Sequence, residues 1–156
     1  MNVQLKTTWI LVADRARARL FELAGRDGKL VEIETFVNPD GRGPERNQTT
    51  DRKPRVHESM GATRHAIEPH TSLRDKSADR FARELDESLE RGRVARRYEH
   101  LVLVALPQFL GTLRAALGKH VRERVVVEVP HEMTTKAPEE IRACLTKELG
   151  GQMARE

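Results

Sequence analysis

The chain has 156 residues, a length typical of one domain with a substantial core, and only 4% of them are aromatic, so that core must be largely aliphatic. The single cysteine, Cys144, excludes an internal disulfide and a cysteine-based zinc site. No apolar run approaches the roughly 20 residues of a membrane span, and the first residues lack the features of a secretory leader. We therefore expect a cytoplasmic protein without a membrane partner.

The net charge of +4, from 28 basic and 24 acidic residues, is too small to require a nucleic-acid partner. A protein that binds nucleic acid should also gather its basic residues in one patch. Composition alone therefore leaves a polyanionic partner and an ordinary solvated surface as alternatives.

The first third of the chain predicts three antiparallel strands. Residues 8–14 are almost entirely apolar, which is typical of a buried central strand. Residues 17–23 and 29–37 alternate their side chains between two faces, and in the second segment Ile33 and Phe36 fall on opposite faces. Turns are expected at residues 14–16 and around Gly25 and Gly28.

Periodicity stops between residues 38 and 73, where glycine and proline are frequent and apolar residues are scattered. We interpret this segment as a long polar loop, and a loop of this length inside a compact domain is usually functional or disordered. A helix is expected to begin near Ser72, with Asp75 completing its cap, and to end at Gly92. Its buried face would consist of Ala78, Phe81, Ala82, Leu85 and Leu89.

The second half of the chain alternates strands and helices. Residues 99–106 and 124–129 are apolar runs that predict strands. Pro107 and Pro138 suit the first turn of the helices that follow them. The glycine pair at residues 150 and 151 would stop the last helix after residue 149.

This order of elements predicts one α/β domain over residues 1–150, followed by a tail of residues 151–156. Each of the last two strands follows a helix, so these crossovers should be parallel and right-handed. The predicted architecture is a three-layer α/β/α, ribonuclease H-like arrangement around a mixed five-stranded sheet. Its strand order is 3-2-1-4-5, and strand 2 is antiparallel.

The segment Ser77-Ala-Asp-Arg-Phe-Ala-Arg83 resembles a motif of archaeal and eukaryotic class-1 peptide release factors. In the middle domain of those factors, a loop that carries a Gly-Gly-Gln tripeptide leads directly into a helix of this type. The strand meander, with Asp14 closing the first strand, is similar as well. The resemblance implies a domain related to that middle domain.

Nearly the whole chain also resembles the bacterial host attachment protein family, whose members are described as bacterial release-factor-like proteins. The segments that carry this resemblance are residues 9–14, 50–52, 55–59, 64–66, 68–71, 109–111 and 138–142. It implies a bacterial protein connected with translation or with attachment to host cells. Without an export signal, a role in attachment would be indirect.

The catalytic tripeptide of release factors has no counterpart at the matching place. Gly-Gly-Gln lets the backbone enter a tight catalytic centre and orient a water molecule. Here the three residues before Ser77 are Arg74, Asp75 and Lys76, and a Gly-Gly-Gln occurs only at residues 150–152, after the last predicted helix. We therefore expect neither peptidyl-tRNA hydrolysis nor a cofactor.

Polar residues of the predicted loop allow a different chemistry. Three histidines and two glutamates, namely His57, His65, His70, Glu58 and Glu68, could bind a divalent metal or supply a general base. Their spacing matches no established ligand pattern. The same side chains could instead satisfy the backbone of the loop or contact a partner.

A nuclease of the ribonuclease H type would need several carboxylates around two metal ions. Asp14 ends the first strand, and Glu84 or Asp86 could approach from the first helix. The fourth strand, however, ends at Leu106 without an acidic residue. The acidic set is therefore incomplete.

The basic residues of the same stretch favour RNA. Residues 38–76 contain eight basic and six acidic side chains, and arginine pairs with phosphate in a fork geometry. Arg15, Arg17 and Arg19 could extend this surface, as could residues 91–97, which could equally stabilise a helix end through its dipole. The predicted binding residues are Arg52, Arg55, His57, Glu58, Arg64, His65, Glu68, His70, Arg74, Lys76 and Arg80.

The leading hypothesis is a non-catalytic release-factor-like domain that binds the ribosome or structured RNA through residues 38–76. The first alternative is a protein-interaction factor that is needed indirectly for attachment to host cells. The second alternative is a metal-dependent hydrolase or nuclease that uses the loop histidines. The sequence leaves the oligomeric state and the identity of the partner open.

Overall fold

The structure is a computed structural model that describes residues 7–24, 28–41 and 60–153, with side chains at residues 7–23, 28–41, 73 and 75–148. The strands in these ranges are β1 (Thr8–Ala13), β2 (Arg17–Ala24), β3 (Lys29–Val37), β4 (His100–Val104) and β5 (Val125–Val129). The helices are α1 (Met60–Val94), α2 (Pro107–Ala116), α3 (Lys119–Arg122) and α4 (Pro138–Met153). A short 3-10 turn spans Pro39–Gly41.

The described strands form one mixed sheet in the order β3-β2-β1-β4-β5. β2 is antiparallel to β1 and to β3, while β4 is parallel to β1 and to β5. The predicted strand order and the antiparallel second strand are confirmed. β1 and β4 occupy the centre because their apolar runs offer no polar face to solvent.

Helices cover both faces of the sheet. On one face, α1, α2 and α3 bury an apolar cluster against β1 and β4, and it includes the predicted face of α1: Ala78, Phe81, Ala82, Leu85 and Leu89. On the other face, α4 packs Ile141 and Leu145 against a second cluster that includes Ile10 and Val104. The sheet therefore lies between two helical layers, as predicted.

Each of the two outer strands carries a bulge. In the pairing of β2 with β3, Leu20 faces Glu34 and Phe21 faces Glu32, so Ile33 is an extra residue. The bulge reverses the alternation, and Ile33 and Phe36 both pack on the α1 face, which corrects the prediction of opposite faces. In β5 the extra residue is Val126, which lies between the partners of Leu101 and Val102.

Helix α1 begins at Met60 rather than near Ser72, so the predicted loop is wrong for residues 60–73. Pro69, which lacks an N–H and usually ends a helix, lies within α1. Extending a helix that is already nucleated requires far less free energy than starting one. The packed apolar face of residues 78–89 can therefore stabilise a helix that extends beyond those residues. Residues 42–59 lie outside the described part of the chain.

The end of α1 also differs from the prediction, because the helix continues past Gly92 to Val94. Gly92 serves packing instead, since a Cβ there would lie 2.5 Å from Cη2 of Trp9. The helix is closed by Arg96, which adopts the left-handed conformation with φ 59°. Arg97 donates its N–H to the Gly92 carbonyl at 2.8 Å and Arg96 donates to the Arg93 carbonyl at 2.9 Å, the pattern of a Schellman cap.

Helix α4 likewise continues through the glycine pair at residues 150 and 151 to Met153, so the predicted stop is wrong. Glycine permits a left-handed cap but does not impose one. The 3-10 turn and the four-residue helix α3 were not predicted from the sequence, because neither is long enough to show an apolar period.

Candidate functional site

An open cleft of about 440 Å³ lies where β1 and β4 finish, which we call the upper end of the sheet. The opposite end, where β1 and β4 start, is the lower end. The described residues that line it include three carboxylic acids, Asp14, Asp75 and Glu132, and one basic residue, Arg15. The lining is therefore acidic on balance and consists of Asp14, Arg15, Ala16, Gly41, Asp75, Ala78, Leu106, Gln108, Phe109, Thr112 and Glu132.

The carboxylate of Asp14 accepts hydrogen bonds from the backbone of the first hairpin and from a side chain in the segment after β5. Its Oδ1 accepts the N–H groups of Ala16 at 2.7 Å and Arg17 at 2.9 Å, which fixes the turn between β1 and β2. Its Oδ2 accepts the hydroxyl of Thr134 at 3.2 Å, and the same hydroxyl contacts Glu132. Asp14 therefore ties the first hairpin to the segment after β5.

The carboxylates considered for a nuclease do not converge. Asp86 accepts the N–H of Gly118 at 3.0 Å, which places it near the start of α3 at the lower end, away from Asp14. Over the part of the chain that the structure describes, no group of three His, Cys, Asp or Glu side chains could hold a metal ion.

Asn38 connects three elements at the upper end. This buried side chain donates from Nδ2 to the Arg15 carbonyl at 2.9 Å and to the Ser77 hydroxyl at 3.2 Å. Gly41 approaches the same carbonyl so closely that a Cβ would lie 2.1 Å from its oxygen. The turn after β3 is thereby held against the first hairpin and against α1.

The motif of residues 77–83 contains both buried residues that pack in the fold and residues exposed on the surface. The Ser77 hydroxyl is buried against Asn38, and Phe81 enters the core, where its ring centroid lies 6.3 Å from that of Phe109. Arg80 is exposed and forms an ion pair with Asp40 at 2.7 Å. Part of the motif is therefore explained by the fold, while Arg80 and the equally exposed Arg83 face solvent.

The predicted binding residues have three different outcomes. Lys76 and Arg80 are exposed on α1. Arg64, His65, Glu68, His70 and Arg74 belong to α1 rather than to a loop, and their side chains lie outside the described part. Arg52, Arg55, His57 and Glu58 lie wholly outside the described residues.

Arg19, considered as an extension of the basic surface, is committed to the fold. Its guanidinium pairs with Glu32 at 3.0 Å and donates to the carbonyls of Thr134 at 3.1 Å and Lys136 at 2.7 Å. The hydrogen bond from Arg19 lowers the pKa of Glu32. The side chain therefore fastens the segment after β5 to the sheet instead of reaching a partner.

The lower end has a different charge distribution. Residues 91–97 contain four arginines and no acidic residue, and Arg91, Arg96 and Arg97 are exposed. Arg93 pairs with Glu90 at 2.7 Å, and this contact lowers the pKa of the carboxyl. The neighbouring helix α3 adds exposed basic residues. No sequence motif indicated their position, whereas the arginine run is visible in the sequence.

The single tryptophan and the single tyrosine stack beneath this arginine run. The ring centroids of Trp9 and Tyr98 are 4.6 Å apart, and the guanidinium of Arg97 lies 5.1 Å from the centroid of Trp9. Tyr98 donates its hydroxyl to the Leu89 carbonyl at 2.8 Å, and burial raises the pKa of Tyr98 to about 12. The end of α1 is thereby fixed on β1.

Comparison with known proteins identifies a family and a fold. The sequence profile of the family described as "Protein required for attachment to host cells" matches residues 9–145. No curated protein sequence matches the chain. Within the described residues, no helix is both long enough and apolar enough to cross a membrane.

Among solved structures, an archaeal translation termination factor is similar, with a TM-score of 0.53 at 11% identity. The alignment covers 96% of this chain and 39% of the factor, so the chain spans well under half the length of that protein. An entity described as an archaeal protein is similar at a TM-score of 0.47 and 12% identity, over 96% of this chain and 38% of that one. The first likeness establishes a shared fold.

Proposed function

We propose that the chain, which belongs to the family of proteins required for attachment to host cells, is a non-catalytic domain that binds the ribosome or structured RNA through residues 38–76. The observation that carries this proposal is the fold shared with a translation termination factor. That factor acts in translation termination, and the shared fold supports a related contact for this chain. In the described part of α1, Lys76 and Arg80 are exposed to solvent.

The arrangement of the upper end supports a binding role without catalysis. Asp14 is occupied by backbone N–H groups and by Thr134, so it lacks the freedom of a general base. The residues before Ser77 are Arg74, Asp75 and Lys76 in place of a Gly-Gly-Gln tripeptide. Metal analysis of the purified protein and of His57→Ala/His65→Ala tests the hydrolase alternative. Stoichiometric metal that the double variant loses would replace our proposal.

The charge distribution supports RNA as the partner and favours a contact outside the cleft. Phosphate would be repelled by the three carboxylates that line the cleft. Lys76 and Arg80 instead lie exposed on α1, and Lys76 is the last residue of a segment, 38–76, in which basic residues outnumber acidic ones by eight to six. Phosphate contacts by such residues would give affinity that falls as salt rises.

Co-sedimentation with ribosomes at low salt tests this proposal. Wild-type protein is expected in the ribosomal fractions, and Arg52→Gln/Arg55→Gln is expected to shift toward the free fraction because two phosphate contacts are lost. The matched control is Lys136→Gln/Lys147→Gln, which removes two exposed charges on and before α4. Wild-type protein that is absent from ribosomal fractions would contradict the proposal.

The family description favours a second candidate, a protein-interaction factor in host attachment. Protease treatment of intact cells separates a direct from an indirect role. Protein that is protected until the cells are lysed indicates an indirect role and agrees with RNA binding. Protein that is degraded on intact cells indicates a surface adhesin and would replace the leading proposal.

A further inference from the structure

We propose that the lower end of the sheet carries a second RNA contact surface, formed by Arg91, Arg96 and Arg97 with Lys119 and Arg122, which binds the phosphate backbone of structured RNA. The inference rests on the proposed function for the class of ligand. It adds a surface at the end of the domain opposite to residues 38–41 and Lys76, so it can be tested independently of residues 38–76.

The first support is uncompensated charge. Of the four arginines in residues 91–97, Arg93 is neutralised by Glu90. Across the residues that the structure describes, Arg91, Arg96, Lys119 and Arg122 form no ion pair. Basic side chains that form no ion pair remain available for phosphate.

The second support is the backbone of Arg96. This residue holds φ at 59° in the C′ position of the cap that ends α1, where glycine or asparagine is favoured because a larger side chain crowds the backbone. Attraction to the helix dipole accounts for Arg91 and Arg93 in the last turn. It does not require an arginine beyond the helix in a strained conformation. Glycine would serve the cap better, so the Arg96 side chain has a role outside the fold.

The third support is the position of Arg97. Its guanidinium lies over the buried ring of Trp9, which orders the cation without using its N–H donors. A preordered planar guanidinium loses less entropy than a free one when it binds phosphate. The aromatic pair beneath it therefore acts as a support for a charged contact.

Helix α3 extends the same surface. Its start is attached to α1 by the hydrogen bond from the Gly118 N–H to Asp86, and Lys119 and Arg122 are exposed beside that attachment. The carboxylates on these elements are Asp86, Glu87, Glu90, Glu99 and Glu123, the last 3.7 Å from His120. Residues 86–99 and 118–124 together hold seven basic and five acidic side chains, so this end has a net charge of +2.

Fluorescence polarisation with a labelled RNA hairpin of about 16 base pairs tests the inference, since that length spans two minor grooves. Binding is measured from roughly 50 to 200 mM salt. The variant Arg91→Gln/Arg96→Gly is expected to bind more weakly and to lower the slope of log K against log salt by about 2. The control Lys136→Gln/Lys147→Gln should leave affinity and slope close to wild type.

The melting temperature of Arg96→Gly separates a binding role from a structural one. Relief of the left-handed strain predicts a melting temperature no lower than wild type, combined with weaker RNA binding. A lower melting temperature with unchanged binding would overturn the inference, because the arginine would then serve the fold. The inference would also be overturned if the control pair weakened RNA binding as strongly as the double variant, because binding would then not depend on the lower end.

The pair Arg52→Gln/Arg55→Gln in the same assay distinguishes the two proposals. If it weakens binding and the lower-end variant does not, the inference fails and the proposed function stands. If only the lower-end variant weakens binding, the inference stands and the contact through residues 38–76 fails. A wild-type protein that does not bind the hairpin at low salt overturns the inference, while ribosome sedimentation still decides the proposed function.

Discussion

The two ends of the sheet use charged and polar residues in opposite ways. At the upper end, the side chains of Asp14, Asn38 and Arg19 are all hydrogen-bonded to backbone groups. At the lower end, Arg91 and Arg96 extend into solvent without an ion-pair partner among the described residues. The polar side chains at the upper end therefore hold the fold together, whereas Arg91 and Arg96 at the lower end form no such contacts with the described residues.

This difference follows from chain connections. The upper end must hold the first hairpin, the turn after β3 and the segment after β5, which lie outside the strand ladders, so side chains supply hydrogen bonds in addition to a few backbone ones. The lower end is closed by the cap of α1 and by aromatic packing, which need few charges. Four predictions test this contrast.

The largest effects are expected at two glycines, one at each end. In Gly41→Ala the new Cβ would meet the Arg15 carbonyl, and in Gly92→Ala it would meet the ring of Trp9. Each variant should lower the free energy of unfolding by about 1–3 kcal/mol through overpacking, measured by urea denaturation. Gly41→Ala should be the more damaging because backbone yields less than a side chain.

Gly111→Ala is the matched control for both, since its Cβ would have its nearest neighbour, Nη1 of Arg114, at 4.0 Å. In the middle of α2 the alanine should raise stability by roughly 0.5–1 kcal/mol. If Gly41→Ala behaved like Gly111→Ala, the close approach at the upper end would not constrain the fold.

Asn38→Ala should lower the free energy of unfolding by about 1–3 kcal/mol, because the Arg15 carbonyl and the Ser77 hydroxyl lose a buried donor. Chemical denaturation monitored by Trp9 fluorescence measures it. Asp40→Asn is the comparison, since it weakens only the exposed pair with Arg80, worth roughly 0–1 kcal/mol. Equal effects of the two variants would show that burial of Asn38 contributes nothing.

At the lower end, Tyr98 gives a pH-dependent prediction. As the single tyrosine, it can be titrated by ultraviolet absorbance, with an expected pKa of about 12 in the folded protein and about 10 in urea. Because burial raises the folded value, the contribution of Tyr98 to stability should be constant below pH 10 and fall as the pH rises from about 10 to 12. A folded-state titration near 10 would contradict the burial of the hydroxyl, and Tyr98→Phe should abolish the absorbance change.

The smallest effect is expected for Glu32→Gln, which removes the partner of Arg19. The hydrogen bond from Arg19 lowers the folded pKa of Glu32, so its contribution is present above the unfolded value of about 4.3 and is lost as pH falls through the folded value. At neutral pH the free energy of unfolding of the variant should be lower than that of wild type by roughly 0–1 kcal/mol. The difference should be smaller in high salt. Glu84→Gln, at an exposed position in the middle of α1, is the control, and the two variants should converge in acid.

The sheet could be predicted from the sequence because its signals are local. The apolar runs of β1 and β4 have one favourable location, between two helical layers, and the helices between strands dictate parallel crossovers. The bulge at Ile33 could not be predicted, because it depends on the pairing of β3 with β2. The position of Phe36 on the α1 face follows from that bulge.

Helix ends and site residues were predicted less well, since tertiary contacts decide them. Glycine often ends a helix, but Gly92 is needed because the ring of Trp9 leaves no room for a side chain there. Arg96 closes the helix instead. Pro69 carries a similar signal but lies inside α1. Arg19 looked like part of a binding surface, and only the fold brings it to the carbonyls of Thr134 and Lys136.

The bulges of the outer strands have a consequence for how the sheet meets other chains. β3 and β5 are the strands whose outer backbone groups could template further strands, and each has its extra residue there, Ile33 and Val126. A bulge interrupts the regular spacing of N–H and carbonyl groups that strand addition needs. Both edge strands are thereby less suited to edge-to-edge aggregation, although Val126 is exposed on a strand rich in valine.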